Sequence, residues 1–102
     1  MKHKFYDKYY IGEWNEQGFP SGKGILLVPD NFLYYGEFHN LPNGKGTVEL
    51  FKEKIKYQGA MKDGKAEGQG KIVSADGRYA FEGIMIDSNP KTGKVTIQNP
   101  HD

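Results

Sequence analysis

The chain contains no cysteine. That excludes disulfide staples, thiolate metal sites and a cysteine nucleophile, and it fits a reducing compartment. No sign of charge dominates either. Fourteen Lys and Arg stand against 13 Asp and Glu, a formal net charge of +1, so the balance gives no general affinity for nucleic acid. No apolar run approaches the roughly 20 residues of a spanning helix. The opening MKHKFYDKYY has no apolar core of the length a signal peptide needs. A soluble, cytoplasmic protein is therefore expected. Histidine is scarce, and His3, His39 and His101 share no metal-ligand spacing; no Cys, Asp or Glu cluster completes a set. No metal or cofactor is expected. No Ser/His/Asp set stands within a motif, so no catalytic residue is assigned and the chain reads as non-catalytic. Its 102 residues suit one domain, 1–102, burying roughly two thirds of the unfolded surface.

Two things are abundant: 14 glycines, and aromatics at 14%. Disordered glycine-rich chains are poor in aromatics, so these glycines are placed for a structural reason. Self-similarity shows where. Tyr10-x-Gly12-x-Trp14 is followed by Gly22-Lys23-Gly24, and Tyr34-x-Gly36-x-Phe38 by Gly44-Lys45-Gly46. Tyr57-x-Gly59-x-Met61 is followed by Gly68-Gln69-Gly70, and Phe81-x-Gly83-x-Met85 by Gly93-Lys94-Val95, where the second glycine is lost. The units run approximately 8–30, 31–53, 54–77 and 78–99. A phosphate-cradling loop would occur once and open a long helix. Here Gly-Lys-Gly leads into the strand-like ILLV and TVEL.

Within each unit the apolar residues alternate. Tyr10, Gly12 and Trp14 share one face of a strand with their equivalents, and Leu26, Val48 and Ile72 share a face of the second arm. The intervening positions are mixed, Ile25, Thr47, Lys71 and Thr96 among them, which predicts one apolar and one mostly polar face. The joining segments NEQGFPS, HNLPN, KDGKAE and IDSNPKT carry turn residues. The resulting fold class is all-β: a single-layer solenoid, or meander, of antiparallel β-hairpins. Glycine on the apolar face lets a neighbouring ring lie flat over the backbone.

These residues resemble the MORN (membrane occupation and recognition nexus) repeat: Tyr-x-Gly-x-Trp, a turn, then Gly-x-Gly and a strand. The resemblance covers about residues 8–99. The first two units keep the pattern most fully; the fourth, with Phe81, Met85 and Val95, looks like a divergent cap. It implies a β-hairpin solenoid with an aromatic-lined groove. It also implies scaffolding and protein–protein contact, with phospholipid binding for some members.

Candidate binding residues come from the columns. Tyr10, Trp14, Tyr34, Phe38 and Tyr57 form the core of a thin solenoid and can also wall a groove, since Tyr and Trp are favoured at interfaces. Lys23, Lys45 and Lys94 either solubilise strand starts or make a row of contacts to phosphates or carboxylates. Glu13 and Glu37 read as surface charge that keeps sheet edges soluble. The expected function is a non-catalytic module, a small scaffold or inhibitor, that binds a protein partner through the aromatic groove. The alternative is peripheral binding to anionic phospholipid through the lysine column. Phe5, Tyr6 and Tyr9 suggest an incomplete leading unit, and the N-terminal edge is the expected site of any homodimer. The ending TIQNPHD, with Pro100, reads as a blunted edge.

Overall fold

A computed structural model describes the backbone of residues 2–5 and 8–97, and the side chains of 8–97. Nine strands form one antiparallel sheet in strict chain order. They are β1 (Lys2–Phe5), β2 (Lys8–Trp14), β3 (Pro20–Val28), β4 (Phe32–His39), β5 (Leu41–Leu50), β6 (Ile55–Lys62), β7 (Lys65–Ser74), β8 (Tyr79–Ile86) and β9 (Asn89–Ile97). There is no helix among the described residues. The sheet is a long single layer, 52 × 25 × 17 Å, as the all-β meander expected from the repeat requires.

The register explains the repeat. Gly12, Gly24, Gly36, Gly46, Gly59, Gly70, Gly83 and Gly93 pair successively across the strands in one continuous row. Two positions away runs the row Tyr10, Leu26, Tyr34, Val48, Tyr57, Ile72, Phe81 and Val95. Each tyrosine ring lies along its strand and over the glycine of the next one. A Cβ built on Gly24 would stand 2.5 Å from the Tyr10 hydroxyl oxygen, and one on Gly70 would stand 2.6 Å from the Tyr57 Cζ. The hydroxyls end on the backbone three residues ahead. Tyr10 and Tyr34 donate to the Glu13 and Glu37 carbonyls at 2.6 Å, and Tyr57 donates to that of Ala60 at 2.7 Å.

Glycine is thus the space the ring occupies, and the ring is the core. Tyr10, Tyr34 and Tyr57 are almost wholly buried, with Phe38, Met61, Ala66 and Met85 beside them. Trp14, Tyr10, Phe38 and Tyr34 form an edge-to-face chain with centroids 4.8, 4.9 and 5.0 Å apart, the arrangement that aromatic quadrupoles favour. The Tyr10–Phe38 contact crosses from one unit to the next, so the first ring is closed by the second repeat.

Two expectations need correction. The joining segments are mostly strand, not loop. Only Asn40 separates β4 from β5, and two residues each separate β6 from β7 and β8 from β9. The extra residues are absorbed as bulges between Gly12 and Trp14, Gly36 and Phe38, and Gly59 and Met61. Gly22, Gly44 and Gly68, at φ +88°, +99° and +100°, supply the left-handed backbone these bulges need. The second correction concerns the fourth unit. Gly93 pairs with Gly83, so it fills the place of Gly24, Gly46 and Gly70. It is the first glycine that is lost. Lys94 therefore belongs with Ile25, Thr47 and Lys71, not with Lys23 and Lys45.

Turns bind neighbouring units. The amides of Asn40, Gly64 and Ser88 donate to the carbonyls of Pro20, Pro42 and Ala66 at 2.7, 2.9 and 3.0 Å. Asn43 donates to Asp63 at 3.2 Å, and Lys65 pairs with Asp87 at 2.8 Å. At the opposite end the Phe51 amide donates to Asn31 at 3.0 Å and that of Ala75 to Lys54 at 2.8 Å. The side chain of Phe5, the residue Tyr6, and the segment from Gln98 to Asp102 with Pro100 lie outside the described residues, as do the side chains of the N-terminal edge strand.

Candidate functional site

A single-layer sheet leaves surface open on both sides. On the ring-bearing face the depression measures about 380 Å³. Tyr34 and Tyr57 lie in its lining with Leu26, Val48 and Ile72, and Phe32, Leu50 and Ile55 line it from the ends of their strands. Leu41, Gly64 and Ser88 join the lining from the hairpin ends of the second, third and fourth units. Its aliphatic members Leu26, Val48, Leu50, Ile55 and Ile72 are half-buried, so apolar surface there remains in water. Nothing else in the described chain packs over it, because all nine strands lie in the one sheet.

The candidate aromatic residues are mostly beneath this surface. Tyr34 is fully buried, Tyr10 is 1% exposed, Tyr57 4% and Phe38 6%; Trp14 is half-buried at the sheet's N-terminal end. Of these rings Tyr34 and Tyr57 line the groove, and Tyr10, Phe38 and Trp14 do not; the accessible area comes from the aliphatic residues between them. Burial raises the pKa values of the hydroxyls. Tyr34 is pushed up to about 12, first by desolvation and then by the charge of Glu37, against a smaller lowering from its hydrogen bond to the Glu37 backbone. Tyr10 is raised by burial and by Glu13, and Tyr57 by burial. None of the three is poised to exchange a proton near neutrality, and the hydroxyls are spent on the backbone.

The opposite face departs from the expected polar pattern. Its central row begins Ile11, Ile25 and Tyr35, passes through buried Thr47, and continues as Gln58, Lys71, Glu82 and Lys94. The apolar end is flanked in register by Tyr9, Leu27 and Leu33. Apolar and charged surface are thus sorted along the array. Lys23 and Lys45 line an open depression of about 540 Å³ with Ile11, Ile25 and Glu37, whereas Lys94 lies in the central row at the far end. The structure brings two of the three lysines together. A second depression of about 610 Å³ adjoins it, between Glu13, Lys23, Glu37 and Asn43.

Glu13 and Glu37 do more than carry charge. Their Oε1 atoms accept the amides of Lys23 and Lys45, each at 2.6 Å. Those amides come directly after Gly22 and Gly44, whose positive φ turns the backbone towards the carboxylate. The signal was present as Gly-Glu-aromatic before Gly-Lys-Gly, and it disappears together with the carboxylate in the third unit, which has Ala60. The apolar patch of the opposite face was missed because its central row is apolar only in the first unit, at Ile11 and Ile25, and at Tyr35 of the second, and so does not repeat. Among the described residues, no three His, Cys, Asp or Glu side chains group as metal ligands.

The family model for the MORN repeat matches residues 10–31 and 57–77, essentially the first and third units, each running through the strand that carries the Gly-x-Gly into the turn after it. These two segments are MORN repeats. The chain is 34% identical over 105 residues to alsin from Rattus norvegicus, Mus musculus and Homo sapiens, an alignment covering 92% of this chain. The chain spans about 6% of the length of those relatives. MORN repeats serve generally as modules for binding proteins or membranes. In MORN terms, the Tyr-x-Gly signature is a ring with its seat, and the Gly-x-Gly signature is a bulge followed by the seat for the preceding ring.

Proposed function

We propose that this MORN array is a non-catalytic binding module that holds an apolar segment of a partner protein along its ring-bearing groove. One observation carries the reading. Leu26, Val48 and Ile72, alternating with buried Tyr34 and Tyr57, stay half-exposed together with Leu50 and Ile55 on a face that, among the described residues, no second layer covers. Such a surface gains about 25 cal/mol per Å² of apolar area removed from water, and an extended segment or a helix matches its shape. Tyr34 acts by fixing that shape, while Trp14 and Phe38 pack with Tyr10 outside the groove's lining, Trp14 alone of the three reaching solvent to a useful extent. The reading places the protein in the cytosol as a scaffold or inhibitor. Its test is the double variant Leu50→Lys/Ile55→Lys, checked for an unchanged far-UV spectrum, in proximity cross-linking within the native cell. Loss of the cross-linked partners supports the groove; their full retention overturns it.

A second reading, contact with anionic phospholipid, is favoured by the pair Lys23 and Lys45 beside exposed Ile11 and Ile25. Each lysine near such a surface contributes about 1 kcal/mol. Lys23→Glu/Lys45→Glu should abolish vesicle co-sedimentation and Lys94→Glu should leave most of it. Equal losses from both variants, or no sedimentation of the wild type with phosphatidylserine vesicles, would refute this assignment.

A further inference from the structure

One dipeptide carries a chemistry of its own. Asn43 is the chain's only asparagine followed by glycine, and in the same place before the bulge glycine the first unit has Ser21 and the third Glu67. A glycine nitrogen can attack the side-chain Cγ of the asparagine before it where the backbone is free to bring the two together. A residue laddered to both neighbouring strands is held away from that geometry. Asn43 lies within β5 but has a register partner in neither neighbour. Towards β4 the pairing passes from Pro42–Phe38 to Gly46–Gly36, and towards β6 it begins at Gly44–Met61. Gly44 is exposed, at φ +99°, with no side chain over its nitrogen. Both residues line the open depression of about 610 Å³, so water has access to them.

The asparagine side chain also holds two units together. Asn43 Nδ2 donates to Asp63 Oδ1 at 3.2 Å, and the Gly64 amide donates to the Pro42 carbonyl at 2.9 Å. Two successive residues of β5 thus grip two successive residues of the third unit's turn. The junction after it is tied by the ion pair of Lys65 with Asp87 and by the Ser88 hydroxyl, which accepts the Ala66 amide. The second-to-third junction depends instead on a neutral amide set against a carboxylate. An amide donates, whereas an ionised carboxylate only accepts. Exchange of the one for the other turns the tie into two facing acceptors of like charge.

We propose that Asn43-Gly44 is a self-modification site, a deamidating pair whose conversion irreversibly loosens the junction between the second and third units as the chain ages. The Gly44 nitrogen bonds to the Asn43 Cγ as the Cγ–Nδ2 bond breaks. The proton that Gly44 gives up passes through solvent to the departing amide, which leaves as ammonia. One water then opens the resulting succinimide at either carbonyl and leaves aspartate or isoaspartate at position 43. Nothing is oxidised or reduced, and water is the only co-reactant. With aspartate there, the hydrogen bond to Asp63 loses its donor and two carboxylates repel each other. Isoaspartate adds a carbon to the main chain directly after Pro42, so the bond from Gly64 is disturbed as well. The proposal does not depend on what the groove holds.

The test follows the wild-type chain itself. It is incubated at mildly alkaline pH, folded and in urea, and sampled by peptide mapping with fragmentation that separates aspartate from isoaspartate. Asn15, Asn31 and Asn40 in the same digests are the references. Loss of the Asn43 amide should be about tenfold or more faster than at any of the three, and the folded rate should lie within about tenfold of the rate in urea. A smaller margin over the references, or a larger retardation by folding, would overturn the site. The converted chain is then separated by charge and its amide exchange measured beside that of unreacted chain. Exchange at Gly64 should quicken about tenfold, while that at Ser88, in the junction beyond, stays as it was. Unchanged protection of Gly64, or an equal rise at Ser88, would overturn the loosening of this junction. Asn43→Asp, which brings the charge without the added main-chain carbon, should quicken Gly64 exchange in the same direction but less than the isoaspartate form; no change in it would remove the charge from the account.

Discussion

Replacing Gly46 with alanine tests the central physical claim, that the tyrosine rings occupy volume vacated by glycine. A Cβ at Gly46 would stand 2.5 Å from the Tyr34 Cζ, about 1 Å inside ordinary contact between carbons. Backbone on the same strand cannot yield without breaking the ladder on both sides, so the ring must lift. That ring is fully buried, donates to the Glu37 carbonyl at 2.6 Å and meets Phe38 at 5.0 Å. Overpacking of this kind costs about 1–3 kcal/mol, and loss of the hydrogen bond adds about 0.5–1.5 kcal/mol. The expected total, about 2–4 kcal/mol, corresponds to a melting temperature lower by roughly 10–30 °C for a domain of this size. Gly77→Ala is the control, because nothing lies within 4 Å of a Cβ there and only its φ of +75° is strained; it should cost about 1–2 kcal/mol. Gly93→Ala should cost at least about as much as Gly46→Ala although Phe81 has no hydroxyl to lose, since a Cβ at Gly93 would meet not only the Phe81 Cζ at 2.7 Å but also the backbone, at the Glu82 carbonyl oxygen and at the Gly83 Cα at 2.8 Å. Urea unfolding followed by circular dichroism and by the fluorescence of Trp14, which packs on Tyr10 at 4.8 Å, reads all three. A Gly46→Ala protein within about 0.5 kcal/mol of wild type, a margin typical of inert surface changes, would refute the reasoning.

Alkali should destabilise the fold. The Tyr34 hydroxyl ionises at about 12 in the native sheet against 10.0 in the unfolded chain. The unfolded state therefore loses its proton first, and the stability held below pH 10 drains away as pH rises towards 12; Tyr34→Phe should flatten that decline in urea titrations at pH 9 and pH 11, and an unchanged slope would show that Tyr34 is not responsible. Glu37→Ala removes the acceptor of the Lys45 amide and should cost about 1 kcal/mol, below the roughly 1.5–3 kcal/mol of bonds to charged groups because the site is exposed. Hydrogen exchange at Lys45 should quicken in that variant, and unchanged protection would assign the bulge's rigidity to Gly44 instead.

The chain order of the strands, the row of rings and the reason for the glycines were all legible, because period-two alternation and a repeat of 23–24 residues compound each other. The strand-to-bulge geometry was not. Turn-type residues such as Pro42 and Asn43 lie inside β5, and composition does not distinguish a bulge from a loop. The misplacement of Lys94 has the same origin: with one glycine of the pair lost, only the pairing of Gly83 with Gly93 settles which place the survivor fills. Glu13 and Glu37 were seen as equivalent, but a carboxylate accepting an amide ten or eight residues away depends on a backbone turn that spacing does not reveal. The candidate aromatic contacts read as both core and wall; burial separates the roles, and the aliphatic row between the rings emerges as the accessible part.

The uniform glycine row has a consequence for how such chains vary in length. The outward edge of β3 offers Gly24 and Leu26 to Gly36 and Tyr34, and the outward edge of β5 offers Gly46 and Val48 to Gly59 and Tyr57. The two edges are interchangeable. A deletion that removes one whole unit, from the turn after Val28 to the turn after Leu50, sets β3 beside β6 in the register that β5 now has, with Gly24 against Gly59. Each tyrosine keeps its seat, because the seat lies in its own hairpin. Duplication works by the same arithmetic. Reach, and with it the spacing between whatever the array holds at its two ends, is therefore free to change in whole hairpins without redesigning any core.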